Sequence, residues 1–511
     1  MGMNHPGLGA ISQDTIEQFR ASYGAGKAGD PRMLGKATTT GYSQATGLTW
    51  YDLQAPAKSL FPVLTPLRNK IPRVAGNGDI ATRWKAVTGI NVNRLRGAVP
   101  EGKRNGVVTT TTVDKLQAYK TIGLEDFVTF EAVNAARGFE DVRARMGQNL
   151  LWATMIQEEK LLFGGNSGDG VALGTPTTPT AANSGTGGSI AAATYAIIVV
   201  ALTHGAYQMS SLAGGVPDQQ TVTMPDGTTF NYNPGTSQKS AAASTVTTGS
   251  TSKITATVPV VPGAVAYAWY VGVAGSERLQ AITTINSVEL TALSGANELI
   301  GSKFATDRSQ NTNEFDGLLT HAFKSGSGAS ILTLATGTPG AGTKLTASRQ
   351  DGGIDQIDQL FRNMWDTNRL SPNVLYVSAQ EVANISSLVM KNNGSPIVRL
   401  NGDFAGGVNN VAAGSVVGSY LNRYGLNGGQ LVQLQLHPDA VPGTIVAHCD
   451  VLPYPISEVP NVCEVHYRQD YYQIEWPITK RQYESGVYAD ETFAHYFPGA
   501  IGIIQNIADG V

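Results

Sequence analysis

The chain has only two cysteines in 511 residues, Cys449 and Cys463. Two thiols cannot supply a disulfide framework, so small disulfide-stabilised secreted domains are excluded and a reducing compartment is favoured. Charge is also scarce, because Asp, Glu, Lys and Arg together make up 15% of the residues and the formal net charge is −3. This balance excludes a protein that binds nucleic acid through an overall basic surface.

Long apolar runs and catalytic signatures are missing as well. No stretch reaches the roughly 18 consecutive apolar residues that a membrane-spanning helix needs. The N-terminal residues lack the basic start and apolar core of a secretory signal, so we expect synthesis in the cytosol and no membrane partner. The sequence contains no G-x-S-x-G motif, and its seven histidines follow no recognised catalytic spacing. We therefore predict a protein that is not an enzyme and has no cofactor.

Three short patterns resemble ligand-binding motifs but lie in sequence surroundings that do not fit such a site. Gly76–Ala81 spells G-x-G-x-x-A, but no helical pattern follows it, which predicts a turn. Residues 337–344 (GTPGAGTK) differ from a phosphate loop, because the lysine follows a threonine and no helix opens there. His448-Cys449 and Cys463-x-x-His466 suggest zinc, yet on strands each pair points to opposite faces. Buried thiols and ordinary histidines explain them better, so we predict no metal site.

Arg137–Gly165 carries a strong helical pattern. Apolar side chains recur there at three-and-four spacing, at Phe139, Val142, Met146, Leu150 and Ala153. Acidic residues in the first turn and Lys160 in the last suit the helix dipole, and a glycine pair provides the stop. We predict one helix of roughly 40 Å, at about 1.5 Å per residue. Its predicted core face is Phe139, Val142, Met146 and Leu150.

The segments before this helix have little core. Residues 1–48 are rich in glycine and threonine, which favours either a frayed tail or an arm laid over a neighbour. Residues 49–76 mix apolar side chains with prolines, which favours short turns.

Residues 77–122 alternate as two strands around a charged tip. Within residues 76–106, six basic side chains face two acidic ones, a net charge of +4. The basic residues are Arg83, Lys85, Arg94, Arg96, Lys103 and Arg104. The pattern fits either a solvated hairpin or an arm whose basic side chains pair with carboxylates of a neighbouring subunit.

Residues 175–300 differ in character from the rest of the chain. Seven short strand-like runs, few charges and frequent turn signals predict an all-β sandwich. Tyr195, Trp269 and Tyr270 are its predicted aromatic core. The block is similar to immunoglobulin-like or fibronectin-type modules, although no cysteine pair marks it.

The remainder of the chain divides in two. Residues 313–455 alternate helical and strand patterns, which predicts a sheet flanked by helices. Residues 456–511 are aromatic-rich and strongly alternating, which predicts antiparallel strands that return to pack on the long helix.

This order of elements resembles the major capsid protein of tailed double-stranded DNA bacteriophages, the Hong Kong-97-type capsid fold. Local sequence carries the likeness too, in SLFPVLTPLRNKIPR ahead of the two-stranded segment and LLFGGNSG at the end of the helix. The resemblance implies an α+β subunit with seven parts. They are an N-terminal arm (1–48), the start of a peripheral domain (49–76), an extended loop (77–122), the peripheral domain with its spine helix (123–169), the inserted sandwich (175–300), an axial α/β domain (313–455) and peripheral strands (456–511).

The resemblance also implies a function and partners. Many copies would form hexamers and pentamers of an icosahedral or prolate shell, in a virion assembled in the host cytoplasm. The basic extended loop would contact a neighbouring copy, and portal, scaffolding and decoration proteins would join the shell. Packaged DNA would be held by non-specific contact. Two alternatives stay open: an encapsulin-type compartment, and a β-rich surface adhesin, against which the missing signal sequence argues.

Overall fold

The computed structural model describes residues 58–90, 97–224, 227–348, 353–392, 417–425, 428–452 and 459–510. The predicted N-terminal arm, residues 1–48, lies outside them. Phe61–Arg137 and Asp141–Val511 form one compact unit. Met1–Leu60 and Gly138–Glu140 are grouped as a second, of which few residues are described.

The elements up to the insertion are α1 (Pro66–Lys70), β1 (Arg73–Ala75), β2 (Ala81–Ile90), β3 (Thr110–Ala118), β4 (Lys120–Thr129), α2 (Phe130–Ala135) and α3 (Val142–Gly164). The insertion contains β5 (Thr180–Ser184), β6 (Thr194–Leu202), α4 (His204–Met209), β7 (Gln220–Thr223), β8 (Thr229–Tyr232), β9 (Ala243–Val246), β10 (Lys253–Thr257), β11 (Ala266–Gly272), β12 (Arg278–Thr283) and β13 (Ser287–Leu290).

The rest comprises α5 (Leu318–Phe323), β14 (Ser330–Thr333), α6 (Asp355–Asn368), β15 (Val374–Val377), α7 (Ala379–Asn392), β16 (Ser419–Asn422), β17 (Gln430–Leu436) and β18 (Ile445–His448). It ends with β19 (Cys463–Glu475), β20 (Gln482–His495), a 3-10 turn (Pro498–Ala500) and β21 (Ile501–Gln505). No helix among the described residues is long and apolar enough to span a membrane.

The long helix α3 starts later than its sequence pattern predicts. It begins at Val142, and the side chain of Asp141 caps it by accepting hydrogen bonds from the backbone N–H groups of Arg143 and Ala144. The acidic pair therefore precedes the first turn, and Phe139 lies before the helix. Its 23 residues correspond to about 35 Å. Gly165 ends it without a left-handed turn, and glycine is needed there because a Cβ would lie 2.5 Å from the carbonyl oxygen of Phe315.

A four-stranded sheet in the order β1-β19-β20-β4 carries this helix. β1 runs parallel to β19, and the other pairs are antiparallel. Met146 and Leu150 of α3 pack on Val128 and Val487 of the sheet. The sheet is therefore built from segments on both sides of the helix in the sequence.

The insertion forms a sandwich of a three-stranded sheet, β13-β10-β5, and a four-stranded sheet, β12-β11-β6-β9. Side chains from both sheets share one buried core. Among the described residues, β7 and β8 pair with each other and with no other strand. The sandwich strands form where the sequence has short strand-like runs, and the likeness to immunoglobulin domains stays a prediction.

The two chain segments that enter and leave the insertion are fastened side by side. The backbone N–H of Gly317 donates to the carbonyl oxygen of Gly165 at 2.8 Å, and that of Asn311 to Asn166 at 2.9 Å. The Asn166 side-chain amide donates to the Ser309 carbonyl at 2.7 Å. The sandwich is thus held firmly on the body of the protein.

A six-stranded mixed sheet, β14-β21-β18-β15-β17-β16, follows. Helices α6 and α7 cover one face. The end of α3 and helix α5 cover the other face in a core shared with the four-stranded sheet. β21 pairs between β14 and β18 here, whereas the sequence interpretation assigned all of residues 456–511 to the sheet on the long helix. Only β19 and β20 of that segment belong to the four-stranded sheet.

Candidate assembly surface

Strands β2 and β3 form a two-stranded arm that pairs with no other strand in the described part of the chain. Their register runs from Ala81 opposite Ala118 to Ile90 opposite Thr110. Ten residues at about 3.3 Å each make an arm of roughly 33 Å. β3 is exposed from Thr110 to Leu116, so the distal arm has solvent on both faces.

Several apolar side chains on this arm are exposed in the part of the chain that the structure describes. Ile80, Val87 and Ile90 are 70%, 61% and 57% exposed, and Val107 near the tip is 85% exposed. A lone two-stranded ribbon is marginally stable in water, so a ribbon that also exposes apolar side chains is a candidate interaction surface. The arm therefore has the properties of a surface that another protein covers.

The described basic side chains of the arm make no strong ion pair with other described residues. Arg83 and Lys85 are exposed on the same face of β2, two residues apart. Lys85 lies 3.4 Å from Asp114, but both side chains are mostly exposed, so the pair contributes under about 1 kcal/mol. Lys103 and Arg104 are exposed at the tip, with no ion pair among the described residues. Arg94 and Arg96 lie outside the described residues.

The root of the arm is fixed to the body. The Trp84 ring meets the Tyr496 ring edge-on, with ring centroids 5.3 Å apart. The Tyr119 backbone N–H donates to the Ile80 carbonyl at 3.1 Å, and Lys120 Nζ donates to the Thr312 carbonyl. The arm therefore projects from an anchored base.

Two adjacent buried carboxylates, Glu158 and Glu159 of α3, tie the parts of the body together; we call them the acidic joint. Both are fully buried. Glu159 accepts from the backbone N–H groups of Leu67 and Arg68 at 2.8 and 2.7 Å, which satisfies the free N–H groups at the start of α1. It also lies 2.7 Å from Nε2 of His437, which follows β17.

Glu158 organises the other half of the acidic joint. It accepts from Arg68 Nε at 2.7 Å, and also from Arg73 and the Tyr471 hydroxyl. Arg73 Nη2 continues to Glu491 at 2.7 Å. Burial and the nearby charge of Glu158 raise the pKa of Glu491 above its ordinary value. The N-terminal segment, the long helix and both sheets thus meet in one buried charge network.

The sequence gives little sign of this network. Two successive glutamates in a helical sequence do not reveal whether their side chains face water or a buried arginine.

The structure also locates the predicted core residues of the long helix and of the sandwich. Met146 and Leu150 are buried and Val142 partly so. Tyr195 and Trp269 lie in the core between the sandwich sheets, whereas Tyr270 lies on the opposite face, beside Phe304.

The short motifs fall in turns and strands. Gly76–Ala81 leads into β2, and residues 337–344 form a turn with positive φ at three glycines, followed by no helix before α6. Cys449 and Cys463 are free and buried, and burial raises their pKa to about 11 and about 12. No group of three or more potential ligand side chains among the described residues is arranged to hold a metal ion.

The chain matches no family model, and no curated protein matches it. Solved structures do match. The match to the capsid of a native GTA particle spans 92% of this chain and 100% of that chain, with a TM-score of 0.42 and 8% sequence identity. The capsid of the Myoviridae phage XM1 covers 88% of this chain over 95% of its own, with a TM-score of 0.38 and 10% identity.

A third similar structure is the holo-SrpI encapsulin complex from Synechococcus elongatus PCC 7942. It covers 92% of this chain over 97% of its own, with a TM-score of 0.39 and 8% identity. This chain is thus similar to two capsid structures and to an encapsulin structure.

Proposed function

We propose that this chain is the major capsid protein of a tailed double-stranded DNA bacteriophage. Many copies assemble into hexamers and pentamers, which form a closed icosahedral or prolate shell around the genome. The observation that carries the proposal is the β2–β3 arm, whose exposed apolar and basic side chains need a second surface. A homo-oligomer supplies the same surface to every arm, and a heterologous contact that closes gives rings of identical subunits.

The build of the body supports this role. The acidic joint and the shared core hold the long helix and both sheets in a fixed relation, so a force on the arm is transmitted to the whole subunit. The subunits associate through complementary surfaces, and no covalent bond is formed between them. Each contact is modest, but repetition over many subunits makes the shell durable.

The remaining parts take roles around this arrangement. The sandwich is an insertion on the subunit, and the six-stranded sheet is the axial domain. The virion also holds portal, scaffolding and decoration proteins, and assembly takes place in the host cytoplasm. A net charge of −3 suits a lining that confines DNA without binding it tightly.

A second candidate is an encapsulin-type compartment, because the same arm serves a shell that encloses protein cargo. A surface adhesin is a weaker candidate, since the arm has no role in it. Electron microscopy of particles from cells that make the chain separates the first two: double-stranded DNA inside supports the phage shell, and protein cargo supports the compartment.

The experiment that tests the arm is a charge reversal at its tip. We expect Lys103→Glu with Arg104→Glu to give folded subunits that form few or no closed shells. The matched control is Lys344→Glu with Arg362→Glu, which makes the same change in net charge at exposed residues of the body. Normal shells from the tip variant, at wild-type yield and thermal stability, would overturn the role of the arm.

A further inference from the structure

Three histidines meet where the four-stranded sheet passes into the six-stranded sheet. His495 is the last residue of β20, His448 the last of β18, and His321 lies in α5. Their exposed fractions are 2%, 1% and 4%. Ring centroids are 5.4 Å apart for His448 and His495, and 5.8 Å apart for His321 and His495. We call these residues the histidine cluster.

The hydrogen bonds of the cluster define its protonation. His448 Nδ1 lies 2.6 Å from the Asp450 carboxylate, so this nitrogen carries a proton and donates it. The Nε2 atoms of His448 and His495 lie 3.1 Å apart, so one of them donates a hydrogen bond and the other accepts it. This leaves His495 Nδ1 buried without a partner, and His321 Nε2 is in the same situation. Both nitrogens would hold an added proton with no acceptor.

The charged and titratable groups around the cluster are fixed. They are Asp450, which also pairs with Lys70; Asp316, which pairs with Lys324; Lys115, near His321; and Cys463, opposite His495 on β19. Burial lowers the pKa of His321 to about 4, and Asp316 only partly opposes this. Burial and the two neighbouring histidines lower the pKa of His495 well below 6.5. Asp450, with a pKa of about 2, keeps its charge throughout this range.

The histidine cluster lies where the chain passes from the four-stranded sheet to the six-stranded sheet. His495 is paired with Cys463 in one sheet, and Ile501 is paired with His448 in the other. The chain therefore crosses between the sheets within the few residues that follow His495. A positive charge on His495 or His321 would be repelled by the other histidines and poorly solvated at this crossing.

We propose that the histidine cluster is an acid-sensitive joint between the two sheets. With the His321 and His495 rings neutral, residues 496–500 keep the conformation described above and the two sheets are held in one relative orientation. On acidification, His321 and His495 take up protons, which favours a locally opened state in which residues 496–500 leave their packed position. The two sheets are then free to change their relative orientation. This property belongs to the single chain and does not depend on the proposed shell function.

The test is hydrogen–deuterium exchange of the full chain at about pH 7.5 and about pH 4.5, corrected for the intrinsic exchange rate. The pKa values of His321 and His495 are lowered in the folded chain, so protonation favours the locally opened state when the pH falls below the ordinary histidine pKa. We therefore expect protection of residues 493–502 to fall at least about tenfold at the lower pH. The double variant His321→Gln and His495→Gln should change less than about twofold between the two pH values. The control Lys344→Gln with Arg362→Gln, at two exposed residues outside the cluster, should respond like the wild type.

Equal responses of the double variant and the wild type would overturn the proposal, as would a wild type that shows no local change. If the double variant fails to fold at neutral pH, exchange at the C2 position of the histidine rings in the wild type decides the question. Relative to an unprotected histidine at the same pH, we expect C2 exchange at His321 and His495 to be slow at neutral pH and this protection to fall on acidification, although the intrinsic rate of C2 exchange itself decreases at low pH. Ordinary titration near pH 6.5 with fast exchange throughout would contradict it.

Discussion

The Glu159 carboxylate lies 2.7 Å from Nε2 of His437, a residue 278 positions later in the chain. The same carboxylate accepts the two backbone N–H groups at the start of α1. One side chain of the long helix therefore joins the N-terminal segment to the six-stranded sheet. Both side chains of the pair are almost completely buried. Loss of the pair would therefore leave buried polar groups without a hydrogen-bond partner and without access to water.

We expect Glu159→Ala to destabilise the chain by about 3–5 kcal/mol, since breaking a buried charged contact leaves its partners unsatisfied. Glu159→Gln should cost less, because the amide oxygen still accepts a hydrogen bond. The measurement is the free energy of unfolding in denaturant. Gln157→Ala, on the exposed side of the same helix, is the control and should change stability by less than about 0.5 kcal/mol. A loss for Glu159→Ala no larger than the control would contradict the role of the joint.

Glu491 should make stability depend on pH. Its pKa is raised in the folded chain by burial and by Glu158, so its contribution to stability is greatest below the unfolded value of 4.5 and declines as the pH rises above it. We expect Glu491→Gln to remove this decline. The thermal midpoint of the variant, relative to the wild type, should therefore rise between about pH 5 and about pH 9. The exposed Glu475→Gln serves as control, and parallel pH profiles for wild type and Glu491→Gln would refute the assignment.

The two neighbouring aromatic residues of β11 should respond differently to substitution. Trp269 is fully buried between the sandwich sheets, so Trp269→Ala should cost about 3–5 kcal/mol through the cavity it leaves. Tyr270 faces the other side, and its hydroxyl donates to Glu298 at 2.8 Å. Tyr270→Phe removes only that bond and should cost about 1–3 kcal/mol. Hydrogen exchange of the sandwich strands measures both, and equal losses would argue against the two separate cores.

This contrast shows what the sequence could predict. Strand-like runs with turn signals between them predict the sandwich strands, and three-and-four spacing predicts the long helix, whose Met146 and Leu150 are buried on one face. Trp269 and Tyr270 were nevertheless assigned to one core, although adjacent strand residues point to opposite faces. β21 lies in the six-stranded sheet, not in the sheet that the sequence interpretation gives it. All five of its residues are buried, and the four apolar ones, Ile501–Ile504, are continuous as in a central strand, a signal that the sequence contains.

Other features leave no trace in one sequence. The buried state of Glu158 and Glu159 depends on Arg68, Arg73 and His437, which come from distant segments. The histidine cluster likewise joins three elements that the chain order does not place together. Such contacts follow from the packing of the two sheets, and local patterns do not encode that packing.

The arm offers a test that separates folding from assembly. Val107 and Val108 are 85% and 51% exposed beside its tip, so Val107→Asp with Val108→Asp should alter the unfolding free energy of the single chain by less than about 0.5 kcal/mol. If another copy covers these side chains in a shell, two buried charges there would cost far more and assembly would fail. Light scattering and electron microscopy measure assembly, and circular dichroism checks the fold. The control is Val246→Asp on the sandwich, where the side chain is 58% exposed. Shell formation by the tip variant equal to that of the control would show that the exposed apolar tip does not lie in a subunit contact.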